Sequence, residues 1–445
     1  MGIFDFFKGK SSKESAANTD YVLANEQFKK GAYQECLRTL SVGFSKDVEF
    51  KQLYELSYNC LVKLGGDEEA ALFKSVLFQP ENFDSYNNLG RHFVESGNFK
   101  IAIPFLEKAM KIDSSYLETA HDLGLAYART FRIIEAIEAL EKNNPENDFW
   151  NYWYWCKLCI LAGRTAGMEQ NLMDLLAVLD SQKNQLETAF PRQKVLEVSE
   201  MLKRYEQVGS AENHIRDWQF IQYGSLILDF FDDSDEYVAG GRYVALWGNN
   251  ESFKSLLFKL KRYIDLLEIK VDTIAYLNNR DSKIVALAIG LELGLEVNLY
   301  DSNQTNLNTL IVGGNATDFD LYKELIAVEN GQVLFALNHN WLQSSMICPD
   351  IIGFMSQAYI FPWEGGGLKI TDIEKGLTEE TKPDNRAEEI IADDIFKQEA
   401  DRTIESKHLE FYKSNKAYLK GIGLNATKIR ENFMIESPLA GSYFG

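Results

Sequence analysis

Hydrophobic and small residues recur at a fixed interval between Phe83 and Asn147, with polar residues between them. The same residue types return after 34 positions, and five pairs match: Leu89 with Leu123, Gly90 with Gly124, Phe93 with Tyr127, Ala102 with Ala136, and Leu106 with Leu140. Spacings of three and four positions inside each copy predict two amphipathic helices. The small residues stand where two helices must approach closely, and the aromatic residues fill the space beside them.

This interval and these residue types resemble the tetratricopeptide repeat, a pair of antiparallel helices that stacks on its neighbours. Weaker copies flank the clear ones, upstream at Gly31 and Tyr33 and downstream at Tyr152 and Trp155. We predict about four to five repeats over residues 19–183 and a helical cap that extends the repeat domain, residues 19–210. The resemblance implies an α-α superhelix that serves as a protein-binding scaffold, in which the first helix of each pair lines a concave groove.

Polar and aromatic residues occupy the remaining face of each predicted first helix, one turn apart. The resemblance places them in the groove: Asn87, Arg91, His121, Leu125, Arg129, Trp150, Trp153 and Lys157. Cationic and amide groups between aromatic rings suit a protein or peptide partner with an acidic or C-terminal segment. The family's carboxylate-clamp pattern is not matched residue for residue, and a solvated helix face is the alternative.

The register of the repeats also indicates the role of the CxxC motif formed by Cys156 and Cys159. Such a pair can be half of a zinc site or a redox dithiol, but no second pair is present and both residues take core offsets of a repeat helix. We therefore expect buried structural thiols. The odd total of five cysteines does not indicate a secreted disulfide framework and fits a reducing compartment, so we expect a cytoplasmic protein.

From about Trp218 the period changes, and short apolar runs alternate with helical segments. The runs predicted as strands are 243–247, 273–277, 297–300, 308–312 and 332–337, and a helix is predicted at 319–327. This alternation predicts an α/β domain, residues 215–367, with a mostly parallel sheet covered on both faces. The fold class is therefore α plus α/β, with at least two domains.

Two polar turns follow predicted strands in this domain, and each begins a helix. The carboxyl edges of parallel strands and the N-termini of helices favour anions, so both turns are candidate phosphate-binding sites. Neither turn matches a dinucleotide or Walker loop, and N-capping by Asp281 and Ser282 is the alternative for the second turn. The candidate residues are Asn250, Ser252, Arg280, Ser282 and Lys283.

Residues 273–300 give the order strand, polar turn, helix and strand, and residues 308–319 add a strand that ends in GGNATDF. This order resembles the core of a type I phosphoribosyltransferase, with a Rossmann-like fold as the alternative class. In that family an acidic pair and a Thr/Gly-rich loop follow the last strand and hold the ribose and 5-phosphate of phosphoribosyl pyrophosphate. Here Gly313 and Gly314 take the place of the acids, and Asp318 is the first acid, so the resemblance implies a degenerate, non-catalytic copy.

The sequence holds few other patterns with catalytic or metal-binding chemistry. His339 follows a predicted strand and has the chemistry of a general base, but no Ser or Cys with an orienting acid is evident near it. The histidines form no HxxxH or HExxH motif. We predict no catalytic residue, no metal site and no cofactor.

The two ends of the chain differ from the domains between them. Residues 1–18 are predicted as a flexible tail, and residues 368–445 as an acidic helical extension whose aromatic residues dock on the core. A formal net charge of -20 argues against a nucleic-acid partner, which needs clustered Lys and Arg. No apolar run approaches the length of a membrane span.

Together these patterns favour a non-catalytic adaptor, in which the repeats bind a protein partner and the α/β domain adds a second binding surface. The alternative is an enzyme, or a nucleotide- or phosphate-binding protein, with a transferase-like activity on a phosphorylated ligand. The sequence identifies neither the partner nor the oligomeric state.

Overall fold

The computed structural model describes residues 15–182, 185–209, 211, 214–231, 240–304, 307–329, 331–366, 368–372, 377–423 and 428–439. Its contacts divide the chain into two compact units, Met1–Ala162 and Gly163–Gly445. This boundary lies earlier in the chain than residue 210, where the sequence places the end of the repeat domain with its helical cap. The predicted tail, residues 1–18, lies mostly outside the described residues, which begin at residue 15.

Antiparallel helix pairs joined by short turns make up the first unit. Each odd-numbered helix packs against the helix that follows it, from α1 with α2 to α7 with α8. These pairs confirm the repeat architecture predicted from the 34-residue interval. Over residues 15–162 the helices are α1 (Asn18–Lys29), α2 (Tyr33–Lys46), α3 (Lys51–Leu64), α4 (Asp67–Phe78), α5 (Phe83–Glu95), α6 (Phe99–Ile112), α7 (Leu117–Arg129), α8 (Ile133–Glu141) and α9 (Phe149–Leu161).

Close packing of the two helices in a pair explains the small residues of the repeat. A Cβ atom on Gly90 would lie 2.7 Å from Leu106 Cδ2, and one on Gly124 would lie 3.2 Å from Leu140 Cγ. A side chain at position 90 would therefore overlap Leu106 and force α5 away from α6. The repeat needs glycine there because the core between the two helices is already filled.

Helices and a parallel sheet make up the second unit. Its helices are α10 (Met168–Asp180), α11 (Gln185–Val208), α12 (Ile215–Tyr223), α13 (Asn250–Leu266), α14 (Arg280–Leu293), α15 (Glu388–Phe396) and α16 (Ser406–Ser414). Its strands are β1 (Leu226–Asp229), β2 (Tyr243–Trp247), β3 (Thr273–Tyr276), β4 (Val297–Leu299), β5 (Thr309–Asn315), β6 (Val333–His339), β7 (Ile351–Ile360), β8 (Leu368–Asp372) and β9 (Leu377–Glu380).

Seven of these strands form one sheet in the order β1, β7, β6, β5, β3, β4, and β2 also pairs with β7. Every pairing described within this sheet is parallel. All residues of β6 and all but the last of β5 are buried, because both faces of the sheet are covered at its centre. The prediction of a mostly parallel sheet is confirmed.

Several details of the second unit differ from the sequence prediction. Strands β1 and β7 were not predicted, although β7 lies next to β6 in the middle of the sheet. Strands β8 and β9 form an antiparallel pair at the start of the extension, residues 368–445, which was predicted to be helical. The prediction of a single helix at 319–327 is wrong, since two short 3-10 helices lie there instead, Ala316–Leu321 and Lys323–Ile326. They are separated by Tyr322, whose backbone (φ -121°, ψ 75°) is not helical.

The order of the strands locates the edge at which a sheet of this kind binds ligands. The series β4, β3, β5, β6, β7 follows the 2-1-3-4-5 order of doubly wound sheets. After β3 the chain runs to β4 at one edge, whereas after β5 it runs to β6, towards the other edge. The carboxyl ends of β3 and β5 therefore flank the topological switch point of the sheet.

Candidate functional site

The predicted groove residues lie on three first helices of the repeats. Asn87 and Arg91 are on α5, and the remaining residues are divided between α7 and α9. Side-chain hydrogen bonds run from α5 to α7 and from α7 to α9, so the three helices lie side by side. We call the surface formed by these residues the first-helix surface: Asn87, Arg91, His121, Leu125, Arg129, Trp150, Trp153 and Lys157.

Buried polar side chains connect the first helices. Thr119 Oγ1 donates to Asn87 Oδ1 at 2.8 Å, and His121 Nδ1 lies 2.8 Å from Asn151 Oδ1. Asn151 Nδ2 also donates to the backbone carbonyl of Leu117 at 3.3 Å. Asn87 and His121 therefore fix the spacing of neighbouring helices, in addition to lying on the first-helix surface.

These hydrogen bonds between the first helices were not predicted from the sequence. Ser85, Thr119 and Asn151 are the third residues of α5, α7 and α9, and they are 3%, 2% and 4% exposed. A polar residue at the third position of these three helices was the available signal. Buried polar groups need partners, so this recurrence indicates contacts between the repeats.

Acidic side chains surround Arg91, the cation that the sequence places on α5. Arg91 Nε donates to Glu95 at 3.0 Å, and its Nη1 donates to Glu118 at 3.4 Å. Asp122 is also close, and burial raises its pKa while the charges of His121 and Arg91 oppose the rise. The surface at Arg91 is therefore of mixed charge rather than basic.

Aromatic rings dominate the α9 part of the first-helix surface. Trp150 is 37% exposed, and its ring packs edge-to-face against Trp153 with centroids 5.8 Å apart. Trp153 stacks on Tyr154, whose ring also contacts His121 of the neighbouring helix at 5.5 Å. Ring contacts therefore connect the two indole rings of α9 to His121 of α7.

The other first-helix residues are partly buried. Leu125, Arg129 and Lys157 are half-buried, and the guanidinium of Arg129 lies 5.8 Å from the centroid of the Phe99 ring. Cys156 and Cys159, which flank Lys157 and Leu158 on α9, are buried. Burial raises the pKa of the Cys156 thiol, so this residue is protonated at neutral pH.

The first predicted phosphate turn caps α13. Asn249 Oδ1 accepts from the backbone N–H of Ser252 at 2.8 Å, and Ser252 Oγ donates back to the Asn249 carbonyl. Asn250 is the first residue of the helix. Glu251, Glu399 and Asp401 line the open cleft next to this turn, and their carboxylates disfavour an anion there.

The second predicted phosphate turn is capped by Asn279. Asn279 Oδ1 accepts from the backbone N–H of Ser282 at 2.8 Å, so the interpretation of Asp281 and Ser282 as the N-caps of α14 is wrong. Ser282 is fully buried, and its Oγ accepts from Gly314 N–H at 2.9 Å and donates to Asp318 at 3.2 Å. Ser282 thus joins the turns after β3 and β5 at the switch point.

Residues after β9 provide partners for both cations of this turn. Arg280 Nη2 donates to the Asp384 carbonyl at 2.7 Å, and Arg280 Nε lies 3.6 Å from Glu388. Lys283 Nζ lies 3.1 Å from Glu388 and 3.0 Å from Glu389. These hydrogen bonds to Glu389 and Glu388 raise the pKa of Lys283. A phosphate at this turn would therefore compete with carboxylates of α15.

His339, considered above as a general base, lies at the end of β6. It is 1% exposed, and burial lowers its pKa to about 3, so the imidazole is neutral at physiological pH. Among the residues that the structure describes, no group of three or more His, Cys, Asp or Glu is arranged to bind a metal ion. The same residues contain no helix that is long and apolar enough to cross a bilayer.

The helix pair α5 and α6 carries the similarity to a known family. Residues 83–116 match the tetratricopeptide repeat. The match begins at the first residue of α5 and ends just before α7, so it covers one helix pair with its connecting turns. Tetratricopeptide repeats stack such pairs and act in protein–protein interactions.

Solved structures similar to part of this chain include MamA and two tetratricopeptide proteins. The MamA segment from residue 41 to its end, from Desulfovibrio magneticus RS-1, is 18% identical with a TM-score of 0.25, over 38% of this chain and 97% of its own. TTC0263, a thermophilic tetratricopeptide protein of Thermus thermophilus, is 16% identical with a TM-score of 0.24, over 41% and 99%. YrrB, a tetratricopeptide protein with an unusual peptide-binding site, is 15% identical with a TM-score of 0.26, over 41% and 91%. Comparison with curated proteins gave no match.

Proposed function

We propose that the tetratricopeptide repeats bind a peptide segment of a protein partner on the first-helix surface, and that the protein acts as a non-catalytic adaptor. The observation that carries the proposal is the partly exposed Trp150, held edge-to-face by Trp153 on α9. Exposed Trp side chains that are fixed by neighbours are typical anchors of binding surfaces, because they bury a large area at a low cost in conformational entropy.

We expect the peptide to carry an acidic segment or a C-terminal carboxylate, because the first-helix surface contains the three cations Arg91, Arg129 and Lys157. Glu95 and Glu118 offset the charge of Arg91, so α5 contributes little attraction for an anion. Arg129 is the last residue of α7, and Lys157 lies on α9, the helix that also carries Trp150 and Trp153. We expect Arg129 and Lys157 to select the charge of the peptide, while the rings of Trp150 and Trp153 supply most of the affinity.

The second unit supplies the second binding surface of the adaptor in this proposal. The ion pairs of Arg280 and Lys283 with α15 argue against phosphate binding at this turn, since both cations already have anionic partners. The alternative is an enzyme or phosphate-binding protein that uses the turns after β2 and β3. At the turn after β3 it requires α15 to move away from Arg280 and Lys283.

Selection from a library of displayed peptides with free C-termini tests the proposed function. Affinities of selected peptides, measured by fluorescence anisotropy, should fall by about tenfold or more in Arg129→Glu/Lys157→Glu, because each charge reversal replaces attraction by repulsion. The matched control is Lys111→Glu/Lys142→Glu, which reverses two exposed charges outside the first helices. Equal losses in both variants would place recognition elsewhere on the unit.

A further inference from the structure

A cavity of about 300 Å³ opens at the carboxyl ends of β5 and β6, beside β7. Asn315 is the last residue of β5, and His339 is the last residue of β6. Ligands of doubly wound sheets bind outside the carboxyl ends of the strands, so this is the edge at which a binding site is expected. The cavity is one strand away from the switch point, and none of the predicted phosphate-binding residues lines it.

Two side chains that line the cavity have buried polar atoms without a hydrogen-bond partner among the described residues. Both ring nitrogens of His339 and the hydroxyl of Tyr359 are in this state. The His339 ring contacts Phe433 at a centroid distance of 4.0 Å, which places an apolar neighbour rather than a polar one against it. A polar group left without a partner in a folded protein is unfavourable, so each of these positions calls for a ligand or an ordered water.

The lining of the cavity is polar and uncharged. None of the ten lining residues is Asp, Glu, Lys or Arg. Five of them carry a carboxamide: Asn315, Asn338, Asn340, Gln343 and Gln357. Carboxamides offer a donor and an acceptor side by side, and a neutral imidazole offers one of each. Such a lining matches hydroxyl or amide groups of a ligand and provides no countercharge for a phosphate or an ammonium group.

Exposure increases from the base of the cavity to its opening. Asn338 and His339 are 3% and 1% exposed, Asn315 and Asn340 are half-buried, and Gln343 is exposed. Asn338 is held in place, since its Oδ1 accepts from Ser356 Oγ at 2.8 Å. A buried, fixed polar base with an accessible opening is the arrangement of a small-molecule site that is formed before the ligand arrives.

We infer that this cavity binds an uncharged small molecule rich in hydroxyl or amide groups, of the size of a monosaccharide or a nucleoside, with His339 at its base. Tyr359 does not provide a stacking surface, because its ring already stacks on Phe354 at 5.5 Å and meets Phe361 edge-on. Recognition therefore depends on hydrogen bonds more than on stacking. This site is independent of the peptide surface proposed for the repeats.

Saturation-transfer NMR and calorimetry on the full chain test the inference with two groups of probes. One group holds the monosaccharides glucose, galactose and ribose, and the other holds the nucleosides adenosine and uridine. AMP and inorganic phosphate serve as anionic counterparts. We expect at least one uncharged probe to bind and its anionic counterpart to bind more weakly. Absence of binding by every uncharged probe at millimolar concentration, or binding of the anions alone, would overturn the inference.

Three variants locate the binding. His339→Phe keeps a ring against Phe433 and removes both nitrogens, and it should weaken binding by about tenfold or more. Gln343→Met changes an exposed residue at the opening, so it should fold normally and weaken binding severalfold. Gln398→Met is the matched control at a distant cleft and should bind like the wild type.

A labelled-histidine NMR spectrum gives a direct readout at the base of the cavity. The ¹⁵N resonances of His339 should shift on addition of the probe that binds, because the imidazole gains a hydrogen bond. An unchanged His339 spectrum in the presence of a bound probe would place the probe elsewhere. A crystal structure in which ordered water alone satisfies His339, in the presence of that probe, would also overturn the inference.

Discussion

At the scale of single residues, buried hydrogen bonds between neighbouring repeats determine how the first helices are spaced. Asn151 is the most connected of these residues, since it accepts from His121 through Oδ1 and donates to the Leu117 carbonyl through Nδ2. Its position follows from the N-cap of α9, where Asp148 accepts from the Asn151 backbone N–H at 2.9 Å. One residue thus couples helix initiation to contact between repeats.

Replacement of Asn151 by Ala should destabilise the full chain by about 1–3 kcal/mol. The change leaves the His121 ring without its partner and removes the second hydrogen bond of the Leu117 carbonyl. The cost of an unpaired group exceeds the value of the bond itself. The midpoint of urea-induced unfolding, followed by circular dichroism, measures the loss. Asn147→Ala is the control at an exposed position and should change stability by less than about 0.5 kcal/mol. Equal effects of the two substitutions would show that the hydrogen bonds of the Asn151 side chain do not contribute to stability.

His339 should make the stability of the protein depend on pH below neutrality. Burial lowers its pKa from 6.5 to about 3, so the folded protein keeps the imidazole neutral while the unfolded chain binds a proton below pH 6.5. Stability is therefore fully present above pH 6.5 and declines as the pH falls towards 3, by about 2 kcal/mol between pH 6.5 and 5. Comparison of unfolding midpoints of the wild type and His339→Phe across this range isolates the effect. A pH dependence that is the same in both proteins contradicts the assignment.

At the scale of the elements, the turn inside each helix pair depends on one left-handed residue. Gly97 ends α5 with φ +74°, and the residue 34 positions later, Phe131, has φ +63° although it is not glycine. The turn geometry is thus kept in the second repeat at the expense of backbone strain, because non-glycine residues disfavour this conformation. Gly97 adopts the same turn without this strain, because glycine has no Cβ atom.

Replacement of Gly97 by Ala should cost about 1 kcal/mol or more. No atom lies within 4 Å of the new Cβ, so the backbone conformation alone produces the penalty. Gly66→Ala is the matched control, since Gly66 has φ -92° and its Cβ would meet Leu61 at 3.6 Å. Gly66 is the N-cap of α4, where glycine is preferred to alanine, so we expect a loss smaller than that of Gly97→Ala in the same unfolding experiment. A control that loses as much stability as Gly97→Ala would contradict this explanation of the turn.

The elements also show what the sequence predicts and where local patterns stop being informative. The repeat interval predicted the helix pairs because close packing requires small residues such as Gly90 at fixed places. The partners of Lys283 were not predictable, since Glu388 follows it by 105 positions and nothing local signals the contact. The prediction of the N-cap of α14 failed for a related reason. Asn279 and Ser282 are both residue types that cap helices well, and Ser282 Oγ is instead used by the distant backbone N–H of Gly314.

At the scale of the whole molecule, the chain combines two units. The first consists of helical repeats of a kind that binds proteins, and in the second the cations Arg280 and Lys283 pair with acidic residues of α15. This combination favours an adaptor. Thermal unfolding with phosphoribosyl pyrophosphate and inorganic phosphate should show no stabilisation, because Glu388 and Glu389 already pair with Lys283. Stabilisation that is lost in Arg280→Ala/Lys283→Ala would instead support the phosphate-binding alternative.

Binding of a peptide at Trp150 is the central claim, and one affinity measurement tests it most directly. The affinity of a selected peptide should fall by about tenfold or more in Trp150→Ala, because an aromatic anchor of the surface is removed. Phe78→Ala is the matched control, an aromatic residue of α4 that is 70% exposed and lies outside the first-helix surface. We expect the control to bind like the wild type. An unchanged affinity in Trp150→Ala, or an equal loss in Phe78→Ala, would contradict the account.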